Sequence, residues 1–196
     1  MTPSRPTLTF TPEIADLVCS CYAAARAILE YGSGGSTAIA GERGTPCLSI
    51  ENDHRRARHV RAWLDADCPG HAVMLRTVFT GPVRKGGGPS RIQAPLWRWR
   101  YPAHARAPWS SLPASPDVIL TDGRCRPACF LTALARITRP ATILWDDYRG
   151  RPHYHQVERH LAPARMVDRM AVFAAEPGRL RLEDLAAARA LFTDPE

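Results

Sequence analysis

The sequence predicts an α/β fold with a largely parallel central sheet flanked by helices. Three observations carry this. Short apolar runs alternate with capped, helix-like stretches at regular spacing along the 196 residues. One of those runs, Ala27-Ile28-Leu29, leads through Glu30 and Tyr31 into the glycine turn Gly32-Ser33-Gly34-Gly35, and a helix start follows with Ser36 as a natural N-cap. Acids stand at the predicted carboxyl ends of later strands: Glu51, Asp122, Asp146 and Asp147.

The elements follow in order. Thr11-Pro12-Glu13 is a helix start, with a hydroxyl, a proline at the first helical position and an acid in the first turn. That helix is expected to reach about Arg26, with Ile14, Leu17, Val18, Cys21 and Tyr22 as its apolar stripe. The first strand and glycine turn come next. Cys47-Leu48-Ser49-Ile50 is the second strand, with Glu51 at its tip, and a helix runs from about Asp53 to Ala66. Ala72 to Phe79 reads as the third strand.

An irregular insertion is expected over 81–115. It holds Gly86-Gly87-Gly88, repeated prolines, and Trp97, Trp99, Tyr101 and Trp109 interleaved with arginines. Such a long connection inside a compact domain suits a functional lid or a substrate pocket, or a loop pinned down by its aromatics. Val118 to Thr121 is the fourth strand, and a helix covers about Pro127 to Ile137. Ala141 to Trp145 is the fifth strand, and His153 to Leu161 a short helix. Met166 to Phe173, broken at Asp168-Arg169, supplies the last strands, and Leu182 to Leu191 reads as a C-terminal helix. The expected organisation is one domain over 1–196, with 1–26 as an N-terminal helical extension.

Composition limits the function classes. The hydrophobic fraction is 45%, which suits a folded chain. No apolar run approaches the ~20 residues of a bilayer span, and no signal-peptide core follows Met1, so a cytoplasmic protein is expected. The six cysteines lack zinc-site spacing and read as free thiols. The formal charge is +7, and no acid occurs between Cys68 and Pro116. That basic excess suits an anionic partner.

In an open parallel sheet, ligands bind outside the carboxyl ends of the strands. Gly32 to Gly35, Glu51, Asp122, Asp146 and Asp147 all lie there without being neighbours in sequence. Glu51, 19 residues beyond Gly32, is placed to accept both hydroxyls of a ribose. A nicotinamide-binding G-x-G-x-x-G turn would need glycine at position 37, which is Thr37 here.

The ordered segments Glu30-Tyr31-Gly32-Ser33-Gly34-Gly35-Ser36-Thr37, Glu51, Thr121-Asp122-Gly123-Arg124 and Asp146-Asp147-Tyr148 resemble a class I S-adenosylmethionine-dependent methyltransferase. The resemblance covers about Ala27 to Glu176. It implies a Rossmann-like methyltransferase fold and S-adenosylmethionine as cofactor. It puts Glu30 and the backbone of Gly32, Ser33 and Gly34 near the methionine and ribose, Glu51 on the ribose, and Asp122 beside the transferred methyl and the acceptor. The acid that many members carry after the third strand, beside the adenine amine, is absent from Thr77-Val78-Phe79-Thr80-Gly81.

Asp122, Asp146 and Asp147 are also similar to the divalent-metal ligands of catechol-type O-methyltransferases, which implies Mg²⁺ as a second cofactor. Here Gly123-Arg124-Cys125-Arg126 stands where those enzymes place a lysine base, and Asp147 replaces an asparagine. Arginine is a poor base because it stays protonated. The alternative is that these acids cap helices or pair with Arg124 and Arg149. For a base without metal, His153 and His155 are candidates, with Tyr148 behind them.

The function read from the sequence is methyl transfer to a small, anionic or aromatic acceptor. A non-catalytic binding or regulatory protein of the same fold is the alternative, with RNA methylation third. No RNA-binding appendage or Asn/Asp-Pro-Pro-Tyr motif is present, so a small molecule is the expected partner, with no membrane, and a homodimer is one assembly this reading allows.

Overall fold

The computed structural model describes residues 3–84, 94–186 and 188–193. Gly86-Gly87-Gly88 of the expected insertion lies outside them. The described residues form a sheet of seven strands in the order β3-β2-β1-β4-β5-β7-β6. The first five are parallel: β1 (Ile28–Tyr31), β2 (Cys47–Glu51), β3 (Val73–Thr77), β4 (Val118–Thr121) and β5 (Ala141–Trp145). The last two, β6 (Arg165–Val167) and β7 (Met170–Ala175), are a hairpin antiparallel to β5. Its turn falls at Asp168-Arg169, where the predicted run breaks, and Asp168 takes a left-handed φ of 49°.

Strands β1, β2 and β4 are buried at every position. Both faces of a parallel sheet are covered by helices, so such strands read as continuous apolar runs rather than alternating ones. On one face, α1 (Pro12–Ala24), α2 (Gly35–Arg43) and α3 (His54–Asp67) bury Ile14, Val18, Ile39, Val60 and Trp63. On the other, α6 (Arg126–Arg136) packs Phe130, Leu131 and Leu134 against Tyr31, Ile119 and Trp145. Local signals set the helix ends. Asp53 caps α3 by accepting from the backbone N–H of Arg55, 2.9 Å away, and Gly44 ends α2 in the left-handed region at φ 66°.

The region expected to be irregular over 81–115 is largely helical where described. It contains α4 (Ala94–Trp97), α5 (Tyr101–Arg106) and 3₁₀ turns at Arg98–Arg100 and Ala107–Ser110. Two of its prolines, Pro102 and Pro108, sit in first turns, where a missing N–H costs nothing. Its aromatics divide. Tyr101 is buried, and Trp109 donates from Nε1 to the Tyr31 hydroxyl at 2.9 Å, so both belong to the body of the fold. Trp99 remains 68% exposed.

The C-terminal segment also differs from expectation, forming 3₁₀ turns over Glu183–Ala186 and Arg189–Thr193 instead of one α-helix. Leu185, Ala188 and Leu191 pack against the core at intervals of three, the period of a 3₁₀ helix.

The chain before α1 is extended. Arg5 grips Glu42 through two bonds, of 2.6 and 2.9 Å, and its guanidinium lies 5.8 Å from the Trp63 ring centre. Thr7 to Phe10 then cross the glycine turn. A Cβ on Gly35 would lie 2.6 Å from Leu8 Cα, so the start of α2 and this strap fit only because residue 35 has no side chain.

Candidate active site

A cleft opens at the carboxyl ends of β1, β2 and β4. The strap roofs it through Thr7 to Phe10. Gly32 to Ser36 form one wall, Glu51, Asn52 and Arg56 a second, and Asp122, Gly123 and Arg124 a third. The sequence-predicted Gly32, Ser33, Gly34, Glu51 and Asp122 thus meet in one place.

The turn after β1 is held from below. Glu30 is fully buried. Its Oε1 accepts from the Tyr22 hydroxyl at 2.6 Å and its Oε2 from Thr37 Oγ1 at 2.6 Å. Thr37 Oγ1 in turn accepts from the Gly34 backbone N–H at 3.0 Å. A chain of bonds therefore ties α1, the turn and α2 to one carboxyl group. Burial pushes the Glu30 pKa upward, while the donors from Thr37 and Tyr22 oppose that shift. Glu30 does not line the cleft; it stands behind the turn, bonded to Tyr22 and Thr37. The apolar setting of β1 leaves its side chain no solvent to face.

Glu51 is 3% exposed and carries four bonds. Oε2 accepts from Ser33 N and Oγ at 3.0 and 2.9 Å, and Oε1 from Asn52 N and Asp53 N at 2.8 and 2.9 Å. Three of the four donors are main-chain groups, so the carboxylate is fixed in direction at the edge of the cleft.

Asp122 lies at the far wall, with its side chain 31% exposed. Its pKa is pushed up to about 7, first by burial; Arg126 lowers it, while the nearby Asp146 and Asp147 raise it. Ligand oxygens of Asp122, Asp146 and Asp147 lie within 4.8 Å of one another, a group with metal-ligand chemistry. Guanidinium groups already stand among them. Arg126 donates to Asp122 Oδ1 at 3.1 Å, and Arg169 grips Asp146 through bonds of 2.9 and 3.0 Å. Arg169 Nε also lies 3.0 Å from Asp147 Oδ1, and Arg151 Nη2 3.4 Å from Asp147 Oδ2. Three carboxylates face three guanidinia, so this donor set does not fit a bound Mg²⁺ as it stands.

Tyr148, His153 and His155 do not line the cleft. Tyr148 is buried in an aromatic cluster with Trp145 and Phe173, and donates to Glu158 at 2.9 Å. Burial and Glu158 push its pKa far upward. His153 is exposed on the 3₁₀ turn Pro152–Arg159, with its ring against Tyr154. Sequence reading had singled out neither Arg126 nor Arg169. The only signal for Arg126 was a cation in the first turn of a helix, where the dipole disfavours it.

Beside the cleft, and sharing Asn52 with it, a hollow is lined by His54, Arg55, Phe79, Gly81 and Arg84 among others. Asn52 Nδ2 donates to Thr80 Oγ1 at 3.3 Å, and Phe79 is 48% exposed.

No protein-family model matches the sequence, and no curated protein matches it. Solved structures do. A methyltransferase-like protein from Silicibacter pomeroyi is 38% identical over 97% of this chain and 99% of its own, with a TM-score of 0.86. The chain belongs to the methyltransferase-like family. Two more distant structures share the fold with this methyltransferase-like chain. The O-methyltransferase from Bacillus cereus, in complex with SAH, is 18% identical, with a TM-score of 0.54 over 79% of this chain and 69% of its own. TomG, an O-methyltransferase from Streptomyces achromogenes involved in tomaymycin synthesis and solved with SAM, is 16% identical, with a TM-score of 0.54 over 88% and 83%. The class I methyltransferase fold of this chain is thereby established, and among its described residues no helix is long and apolar enough to cross a membrane.

Proposed function

We propose that this chain is an S-adenosylmethionine-dependent methyltransferase of a small, anionic or aromatic acceptor, with Asp122 as the group that takes the acceptor's proton. The observation that carries the reading is the meeting of Gly32 to Gly34, Glu51 and Asp122 around one cleft. A Cβ built on Gly34 meets nothing within 4 Å, so the backbone there is open to close approach. Bound there, S-adenosylmethionine supplies an electrophilic methyl group on sulfur.

The chain's own residues do the rest. Glu51 offers the ribose a directed carboxylate: the Ser33 hydroxyl can turn away and leave Oε2 to a ligand hydroxyl, while the three backbone donors keep the group in place. Asn52 and the face of Phe79 suit a heterocycle in place of the missing acid. The strap keeps water from one side of the cleft. Asp122, with its pKa near neutrality, is matched to accept a proton at physiological pH. Alignment and desolvation supply most of what methyl transfer to a good nucleophile needs.

The test is calorimetric titration with S-adenosylmethionine and its demethylated product, with and without Mg²⁺. Binding of both, unaffected by a chelator, is expected. The absence of binding at millimolar cofactor would refute the reading. With an acceptor in hand, kcat/KM should rise with pH through about 7, and Asp122→Asn should remove that dependence.

A further inference from the structure

We propose that Arg126 and Arg169 together take the place of a divalent cation among Asp122, Asp146 and Asp147, and that removing both guanidinium groups turns the cluster into a metal site. Three carboxylates this close repel one another unless cations stand between them. A divalent ion would do this with short oxygen ligands in near-octahedral array. Here planar, permanently charged forks do it instead.

Arg126 has only 8% of its side chain exposed. Its Nε donates to Gly123 O at 3.0 Å, and its Nη2 to Asp122 O and Oδ1 at 3.3 and 3.1 Å. Its Nη1 donates to the Asp146 carbonyl and lies 3.5 Å from Asp147 Oδ2. One side chain thus ties the exit of β4 to the exit of β5. Its place in the first turn of α6, against the helix dipole, needs such compensation. Arg169 arrives from the β6–β7 turn. It holds Asp146 with both ends of its fork and Asp147 with Nε, and donates to Thr9 O of the strap at 3.2 Å. A metal ion bound to the same carboxylates would have to displace both groups or sit beside two positive charges.

This inference concerns the site of the proposed reaction but is tested without cofactor, so cofactor binding can fail while it stands, and the reverse. The experiment titrates Mn²⁺ into the full-length protein and follows the paramagnetic resonance signal of the free ion. The wild type is expected to leave the signal unchanged at millimolar Mn²⁺. Arg126→Ala/Arg169→Ala is expected to bind one Mn²⁺ at least about tenfold more tightly than the wild type, and Arg126→Lys/Arg169→Lys to behave as the wild type. If the alanine pair is unfolded, Mn²⁺ should restore its folded circular dichroism. Stoichiometric Mn²⁺ binding by the wild type overturns the proposal. So does an alanine pair that neither binds Mn²⁺ when folded nor recovers its fold with Mn²⁺ when unfolded.

Discussion

Gly32 and Gly123 pack backbone against backbone, so that a Cβ on either would lie 2.8 Å from the amide nitrogen of the other. The contact joins the exits of β1 and β4, the two strands whose loops carry the glycine turn and Asp122. Gly32 also has φ 104°, a conformation that side chains rarely adopt. Gly123→Ala is free of that second constraint and isolates the steric one. It should cost about 1–3 kcal/mol, as overpacking does, which is roughly 2–12 °C in thermal midpoint for a chain of this size. Cofactor affinity should fall with it, because the two walls of the cleft move apart. A variant with wild-type midpoint and titration curve would show that the contact is slack.

Glu51 and Ser33 make opposite predictions despite their 2.9 Å hydrogen bond. Glu51→Gln replaces an acceptor by an amide that cannot satisfy all four donors. Bonds to a charged group are worth about 1.5–3 kcal/mol, so cofactor affinity should drop on the order of 10- to 100-fold. Ser33→Ala removes only the hydroxyl that a ribose would replace, and affinity should stay within about threefold of wild type. Calorimetry on both variants checks this. Equal losses would mean that the Ser33 hydroxyl is not replaced by the ligand and is needed for binding as much as the Glu51 carboxylate.

How much of this was legible in the sequence differs by region. The parallel sheet was, because strands covered on both faces leave uninterrupted apolar runs such as Ile119-Leu120 and Ile143-Leu144. So was the cleft, because glycine turns and strand-end acids are local features. Arg126 and Arg169 were not: apart from Asp122, four residues before Arg126, the carboxylates they hold lie 21 to 23 residues away in sequence and meet them through the sheet order. The helices of 94–110 were hidden because proline marks a first helical turn as well as it marks a loop. The cofactor role of Glu30 came from the resemblance and not from the strand itself. Its bonds to Tyr22 and Thr37, on two different helices, have no local signal in the sequence.

His104 was invisible for the opposite cause: nothing in Tyr101-Pro102-Ala103-His104-Ala105-Arg106 marks it. In the fold it is fully buried on α5, its ring 5.9 Å from that of Tyr31, and neither ring nitrogen has a hydrogen-bond partner. Burial, with a smaller push from Arg124, lowers its pKa to about 4. The folded state therefore holds the neutral ring, while the unfolded chain takes up a proton near pH 6.5. Stability should fall as pH drops from about 6.5 to about 4, by roughly 3 kcal/mol from this group. His104→Leu should match or exceed the wild type at pH 7, where an unpaired buried polar group is removed, and should lack this component of the acid slope. Denaturant titrations of both proteins at pH 7, 5.5 and 4.5 measure the difference; parallel slopes would mean that the folded state accommodates the protonated ring.

Thr37 relays one backbone donor to one buried acid, and its removal tests whether Glu30 is an anchor. Thr37→Val keeps the shape but leaves the Gly34 N–H and Glu30 Oε2 without this partner. Each buried group so exposed costs about 1–3 kcal/mol. The loss should depend on pH in a stated direction. Burial raises the Glu30 pKa, so the folded state favours the neutral acid, and the Thr37 hydroxyl is what lowers it again. Without that donor the carboxylate becomes harder to hold, so the variant should lose more stability at pH 8 than at pH 5. Tyr22→Phe removes the other donor, at 2.6 Å, and should act in the same sense. The two changes together should couple non-additively, by about 0.5–3 kcal/mol, because they share one carboxyl group. Additive losses with no pH dependence would mean that Glu30 is held in place by packing alone.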